Sequence, residues 1–143
     1  MFRKILLPID LASDGHERAV AVAVDEARRH GAELHVVSVL PDLGLPQVGD
    51  HFRPGWEREA LHELGERLKD WVARNLPADQ PVRPHVMHGR TYDEILRAAR
   101  TLGVDLIVIA AHRPGLADYL LGSTAARVVR HAPCSVFVVR EAA

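Results

Sequence analysis

Residues 105–130 of this 143-residue chain read DLIVIAAHRPGLADYLLGSTAARVVR, and this stretch decides the fold. It opens on an apolar run, Leu106–Ala110, which is typical of a strand buried on both faces. It closes on Gly122-Ser123-Thr124 and a helix-like segment, so a helix is expected to begin near Ser123. A strand, a long loop and a helix in this order predict an α/β protein, with the loop where such proteins bind ligands.

The alternation of strand and helix extends over the rest of the chain. Apolar, β-rich runs predict five strands, at Phe2–Ile9, Leu34–Leu40, Val82–Met87, Leu106–Ala110 and Ser135–Arg140. Apolar residues at helical spacing predict four helices, at Ser13–His30, Trp56–Leu76, Thr91–Leu102 and from about Ser123. Strands that alternate with helices imply right-handed crossovers and a mostly parallel sheet covered on both faces. We expect one domain over residues 1–143.

Local signals mark several helix ends and one loop. Gly31 and Gly103 stand where C-terminal caps belong. Thr91-Tyr92-Asp93-Glu94 has the spacing of a capping box, in which Thr91 would cap the third helix. The segment from Pro41 to Pro54 is rich in proline and glycine and predicts a long loop.

Composition and charge limit the classes of function. The net charge is −1 and the pI about 6.8, so no basic excess predicts nucleic-acid binding. No apolar run approaches the roughly 20 residues that span a bilayer, and the apolar stretch at the N-terminus is too short for a signal peptide. Cys134 is the only cysteine, which excludes an intramolecular disulfide and fits a reducing compartment. We therefore expect a cytoplasmic protein without membrane insertion.

Candidate ligand-binding residues follow the predicted strands. In an open α/β sheet, ligands bind outside the carboxyl ends of the strands. Four segments stand at such ends and should converge there: Pro8-Ile9-Asp10, Val39-Leu40-Pro41, Met87-His88-Gly89-Arg90 and the loop 110–124. The Asp10 carboxylate is suited to accept hydrogen bonds from ribose hydroxyls or an amine. Its alternative role is to cap the first turn after the strand.

The long loop and the helix after it carry candidate phosphate ligands. Gly122 would let the backbone approach a phosphate closely, while Ser123 and Thr124 add hydroxyls at a helix N-terminus. The alternative is that Ser123 or Thr124 is an ordinary N-cap. His112 and Arg113 begin the loop and are candidates for contact with phosphate oxygens. Alternatively, Arg113 is solvated and His112 only packs on the loop.

Other motifs carry less functional information. His85 and His88 have suggestive spacing, but residues three apart on a strand point to opposite faces, so a metal site made of side chains is not expected. Cys134 is interpreted as a small buried residue and not as a nucleophile. The phosphate loop of P-loop NTPases, the dinucleotide fingerprint and the nucleophile elbow are absent from the sequence.

The motifs together resemble the universal stress protein family over essentially the whole chain. Pro8-Ile9-Asp10 after the first strand, the Gly89 segment and the stretch 105–140 carry the resemblance. It implies a three-layer α/β sandwich with a five-stranded parallel sheet of order 3-2-1-4-5. It also implies a homodimer that pairs through the last strand, at Val136, Phe137, Val138 and Val139.

The resemblance further implies an adenine-nucleotide site with ATP, possibly with Mg²⁺, as the ligand. The residues that it assigns to the site are Pro8, Ile9, Asp10, Val39, Ile109, Ala110, His112, Arg113, Gly122, Ser123 and Thr124. Gly122 and Ser123 match the end of the family's glycine-rich phosphate loop. Ala110 stands at its first glycine and Arg113 near its second, with the spacing one residue shorter. The His-Arg-Pro form resembles a variant branch that includes nucleotide binders, in which Arg113 would supply charge where a glycine amide is lost.

Three hypotheses for function follow. The first is a cytoplasmic, nucleotide-dependent stress sensor or regulator with at most slow hydrolysis, because the loop supplies no obvious general base. The second is a nucleotide hydrolase or phosphotransferase that uses His112 or Asp10 as its base. The third is a dimeric interaction module that binds no nucleotide.

Overall fold

The structure, a computed structural model, describes residues 1–41, 54–111 and 122–141. The strands are β1 (Lys4–Pro8), β2 (Glu33–Pro41), β3 (Val82–Gly89), β4 (Leu106–Ala111) and β5 (Ser135–Arg140). The helices are α1 (Glu17–His30), α2 (Trp56–Asn75), α3 (Thr91–Leu102) and α4 (Ser123–His131). None of these helices is long and apolar enough to cross a bilayer.

The strands form one parallel sheet in the order β3-β2-β1-β4-β5. The predicted three-layer α/β architecture and its strand order are confirmed. The order reverses around β1, because β2 lies on one side of it and β4 on the other. Connections therefore leave β1 and β4 toward opposite faces, which opens a crevice at their carboxyl ends.

Alternate strand residues supply a core on each face of the sheet. Ile5, Leu6 and Leu7 of β1 have no exposed surface, as expected for a strand covered on both sides. Ile5 and Leu7 pack in the core that includes α1 and Leu68 of α2. Leu6 packs in the opposite core, with residues of α3 and α4. The two cores fix both helical layers against the sheet.

Backbone conformation confirms two predicted helix ends. Gly31 follows α1 with a φ of 65°, and Gly103 follows α3 with a φ of 71°. Both angles lie in the left-handed region, which a residue without a Cβ adopts at least cost.

The first helix begins later than predicted, at Glu17 instead of Ser13. The residues before it form a separate turn, because the Ala12 N–H donates to Oδ1 of Asp10 at 3.0 Å and the Ser13 N–H donates to the Asp10 carbonyl at 3.1 Å. The predicted strand Phe2–Ile9 is also shorter, since β1 spans only Lys4–Pro8.

The predicted capping box at Thr91 is wrong. Arg90 is the N-cap of α3, Thr91 is already helical, and no side chain hydrogen-bonds to cap the helix. Glu94, which would have completed the box, bonds Arg97 at 3.3 Å instead. Its Cγ also lies so close to Gly89 that an added Cβ there would approach it to 3.0 Å. Thr91 instead lines the cleft described below.

Candidate functional site

A cleft of about 260 Å³ opens at the carboxyl edge of the sheet. Strands β1, β2 and β4 and helices α3 and α4 all contribute to its lining. Seven residues predicted from the sequence line it: Pro8, Ile9, Asp10, Val39, Ile109, Ala110 and Thr124. The carboxyl ends of the three neighbouring strands β2, β1 and β4 thus meet at the crevice that the strand order creates.

The wall of the cleft is apolar. Ile9 and Ile109 are almost fully buried at the ends of their strands, and Ile95 of α3 is 2% exposed. The Ile9 N–H donates to the Val37 carbonyl at 2.8 Å, which holds this part of the wall against β2. Buried branched side chains around an open space suit a flat apolar group such as a purine ring.

Asp10 supplies the carboxylate at the mouth of the cleft. One of its oxygens, Oδ1, accepts the Ala12 N–H, so the proposed turn-capping role is real. The side chain is nevertheless exposed and lines the cleft. A carboxylate has about four acceptor positions, so the turn leaves capacity for a ligand hydroxyl. The two interpretations of Asp10 are compatible.

The N-terminus of α4 forms the polar side of the site. Gly122 is its N-cap, with a φ of 87° that a glycine adopts readily, and no side chain caps the helix. The interpretation of Ser123 or Thr124 as the N-cap is therefore wrong. Since the first N–H groups of a helix have no partner within it, they are suited to bind an anion. Thr124 lines the cleft, whereas Ser123 lies just outside it.

A second, more open groove adjoins the cleft, and we call it the arginine groove. Its lining residues are Arg90, Tyr92, Ser123, Thr124 and Arg127. The Arg127 guanidinium lies 4.5 Å from the centre of the Tyr92 ring, and Nη1 of Arg90 donates to the Tyr92 hydroxyl at 3.2 Å. The Arg90 hydrogen bond lowers the pKa of Tyr92, and Arg127 lowers it further. Arg90, Ser123 and Thr124 were expected at this edge from the sequence, whereas Tyr92 and Arg127 were not.

Several other cleft residues were also missed from the sequence. These are Ser13, His16, Val37, Thr91, Ile95 and Ala125, whereas Pro41 was expected at this edge and lines the cleft. His16 illustrates why residues were missed, because its Nε2 bonds the Asp10 carbonyl at 3.2 Å and its ring meets Trp71 edge-on. No spacing in the sequence indicates these contacts. Helical periodicity would have indicated Ile95 only as a core residue.

Of the segments expected at this edge, Met87, His88 and Gly89 do not line the cleft, and others fall outside the residues that the structure describes. His112 and Arg113, together with most of the loop that contains them, lie outside the described residues. So does the segment 42–53, predicted to be a loop.

The side chains considered for metal binding point apart. His85 contacts His35, whereas Nδ1 of His88 lies 3.0 Å from Oε1 of Glu57 on the other face of the sheet. Within residues 1–41, 54–111 and 122–141, no group of three or more metal-ligating side chains comes together. Cys134 is half-buried, and burial raises the pKa of its thiol, which disfavours the reactive thiolate.

Comparison with known proteins places the chain in a family. The sequence model of the universal stress protein family matches residues 1–140. The chain is a universal stress protein. It is 33% identical to universal stress protein G of Escherichia coli O157:H7, over 98% of this chain and 100% of that protein. It is 36% identical to a universal stress protein of Thermus aquaticus, with 98% and 100% coverage.

Solved structures of universal stress proteins share the fold. UspA from Lactobacillus plantarum superimposes with a TM-score of 0.72 at 29% identity, covering 96% of this chain and 97% of that one. A universal stress protein in complex with cAMP has a TM-score of 0.65 at 20% identity, with 99% and 98% coverage. One from Archaeoglobus fulgidus in complex with dAMP has a TM-score of 0.64 at 23% identity, with 95% and 96% coverage.

Proposed function

We propose that this universal stress protein binds an adenine nucleotide, ATP with or without Mg²⁺, in the cleft at the carboxyl edge of its sheet. The observation that carries the proposal is the meeting of three unlike groups in one cleft. These are the apolar wall at Ile9 and Ile109, the carboxylate of Asp10 and the α4 N-terminus at Thr124. An adenine nucleotide has the matching parts, which are a flat base, a ribose with hydroxyls and an anionic phosphate. The cAMP and dAMP complexes of other family members support this choice of ligand.

Each part of the nucleotide has a partner in this arrangement. The base lies against Ile9, Val39 and Ile109, where it is removed from water. The ribose hydroxyls donate to Asp10. The first phosphate accepts hydrogen bonds from the backbone N–H groups that follow Gly122 and from the Ser123 and Thr124 hydroxyls. His112 and Arg113 are assigned to the phosphates from the sequence, by their chemistry and their place at the start of the loop.

We further propose that the protein is a cytoplasmic sensor or regulator and not a fast enzyme. Asp10 and His16 are the acid–base side chains among the described residues of the cleft. Both are engaged locally, since Asp10 accepts the Ala12 N–H and His16 bonds the Asp10 carbonyl. Fast hydrolysis needs a base held within hydrogen-bond reach of the attacking water, and neither group is held for that task.

Binding is tested first on small molecules released by denaturing the purified protein, then by calorimetric titration of ATP and AMP into nucleotide-free protein. We expect binding in the wild type and its loss in the double variant Gly122→Val, Ser123→Ala, because the added side chain blocks the approach of phosphate to the backbone. Ser135→Ala is the matched control, because Ser135 begins β5 and so lies at the amino ends of the strands, away from the cleft. Unchanged affinity in the double variant, or no binding by the wild type, contradicts the proposal.

A further inference from the structure

The arginine groove is continuous with the proposed nucleotide cleft. Thr124 lines both spaces. At the start of α3, Thr91 faces the cleft, while its neighbours Arg90 and Tyr92 face the groove. A chain of atoms that leaves the cleft past Thr124 therefore reaches the groove.

The charge of the groove suits an anion. Its five lining residues include two arginines, three hydroxyl groups and no carboxylate. Asp93 is the acidic neighbour, 3.7 Å from Arg90, and the first turn of α4 contains no acidic residue. Arg127 contacts the Tyr92 ring and not a carboxylate of the lining. Its positive charge therefore suits an anionic ligand.

Tyr92 holds the guanidinium groups in place. The Arg127 guanidinium lies over the ring at 4.5 Å from its centre, and Arg90 lies 5.9 Å from the same centre. Stacking on an aromatic face restricts a long arginine side chain without using its N–H donors on a carboxylate. A preordered guanidinium binds two phosphate oxygens at once with less loss of entropy than a freely moving one.

We propose that Arg127, with Arg90 and Tyr92, forms a second phosphate subsite that selects nucleoside polyphosphates over monophosphates. The inference rests on the proposed nucleotide binding in the cleft. The first phosphate lies at Thr124 and the α4 N-terminus, and the following phosphates lie in the arginine groove. AMP and cyclic AMP end before the groove, so they do not contact Arg127.

The test is calorimetric titration of AMP and of ATP, each with and without Mg²⁺, into the nucleotide-free full-length protein. We expect the wild type to bind ATP at least about tenfold more tightly than AMP, which is the scale of one charge-assisted hydrogen bond. Arg127→Gln should remove most of this advantage and leave AMP affinity unchanged. Arg127→Lys should retain part of it, because it keeps the charge and loses the planar fork.

Arg130→Gln is the matched control, since Arg130 is exposed on the same helix and does not line the groove. Thermal unfolding of each variant verifies that the fold is retained. If the wild type binds AMP and ATP with equal affinity, the second phosphate subsite is overturned, while the proposed function of nucleotide binding still stands. Equal weakening of both ligands by Arg127→Gln also overturns the subsite. Binding of neither ligand by the wild type contradicts the proposed function itself, and the subsite with it.

Discussion

Asp10 shows how one side chain both holds a turn and lines a cleft. Its Oδ1 holds the turn after β1 through the Ala12 N–H, and the rest of the carboxylate faces the cleft. A turn residue placed directly after a central strand therefore needs no additional structure to present an acceptor to a ligand.

We expect Asp10→Asn to weaken binding of AMP and ATP alike, by about tenfold, while stability changes little. The amide oxygen still accepts the Ala12 N–H, but the negative charge that attracts ribose hydroxyls is lost. Calorimetric titration with both nucleotides measures the effect. Asp10→Ala should in addition lose about 1 kcal/mol of stability, because the turn loses its acceptor. Wild-type affinity in Asp10→Asn would contradict the ribose role.

Another residue-scale feature is a pair of histidines on adjacent strands. His35 of β2 is 3% exposed, and its Nδ1 lies 2.9 Å from Nε2 of His85 on β3, so a ring N–H of one donates to the other. Burial lowers the pKa of both imidazoles. The neighbouring charges are Glu33, which opposes the shift for His35, and Arg83 and Lys4, which reinforce it.

We expect stability to fall as the pH drops below about 6.5, the ordinary histidine pKa. The unfolded chain takes up protons on these rings more readily than the folded one, so acid favours unfolding. Urea denaturation at pH 7.5 and 5.5 measures the loss. His85→Gln should make it smaller, whereas His131→Gln, at an exposed site, should not. The same pH dependence in wild type and His85→Gln would exclude the pair as its source.

At the scale of elements, the central strands are joined by a carboxylate at their amino ends. Asp105, just before β4, accepts the Arg3 and Lys4 N–H groups at 3.0–3.1 Å, and its own N–H donates to the Lys4 carbonyl. Burial alone would raise the pKa of Asp105, but these backbone N–H groups outweigh it and the pKa is lowered. The pairing of β1 with β4 includes only two residue pairs, so this clamp supports a short contact.

We expect Asp105→Ala to destabilise the protein by about 2 kcal/mol, because two backbone N–H groups, of which that of Lys4 is partly buried, lose a charged acceptor. Urea denaturation measures the change. Asp79→Ala is the matched control, since its ion pair with Arg28 is exposed and should contribute less than about 1 kcal/mol. The Asp105 contribution is present above the carboxyl pKa of the unfolded chain and is lost as the pH falls toward the lowered folded value. Equal effects of the two variants would contradict the clamp.

At the scale of the whole molecule, β5 is an edge strand of the sheet. It pairs with β4 on one side, and Phe137 remains 43% exposed. An exposed apolar edge favours association with another strand. A homodimer through Val136, Phe137, Val138 and Val139, which the family resemblance implies, would cover it.

We expect Phe137→Lys to convert a dimer into a monomer with little loss of stability, because this side chain is only partly buried. Sedimentation analysis over a range of concentrations measures the change. Ala73→Lys places the same charge on an exposed site of α2, which packs on β2 and β3, and should leave the assembly unchanged. A monomeric wild type, or a dimeric Phe137→Lys, would contradict pairing through β5.

The order of the elements, and the edge of the sheet at which the strands end, were determined by the sequence alone. Apolar runs in strands, helical spacing and glycine caps depend on near neighbours, so they can be recognised without knowing the fold. Parallel strands also bring their carboxyl ends to one edge, and Pro8-Ile9-Asp10, Val39 and Pro41 line the cleft at that edge. The prediction of a capping box at Thr91 was wrong, because the spacing of a motif does not by itself determine where a helix begins.

Only the tertiary structure decided which residues from distant segments meet. Thr91 and Ile95 reach the cleft, and Arg90 and Tyr92 meet Arg127, because α3 packs beside α4. His35 and His85 are 50 positions apart and meet through the register of β2 and β3. Such contacts depend on packing between elements, which leaves no periodic trace in the chain. The sequence therefore determined the edge at which the cleft opens, and the packing of the helices decided the polar groups beside it.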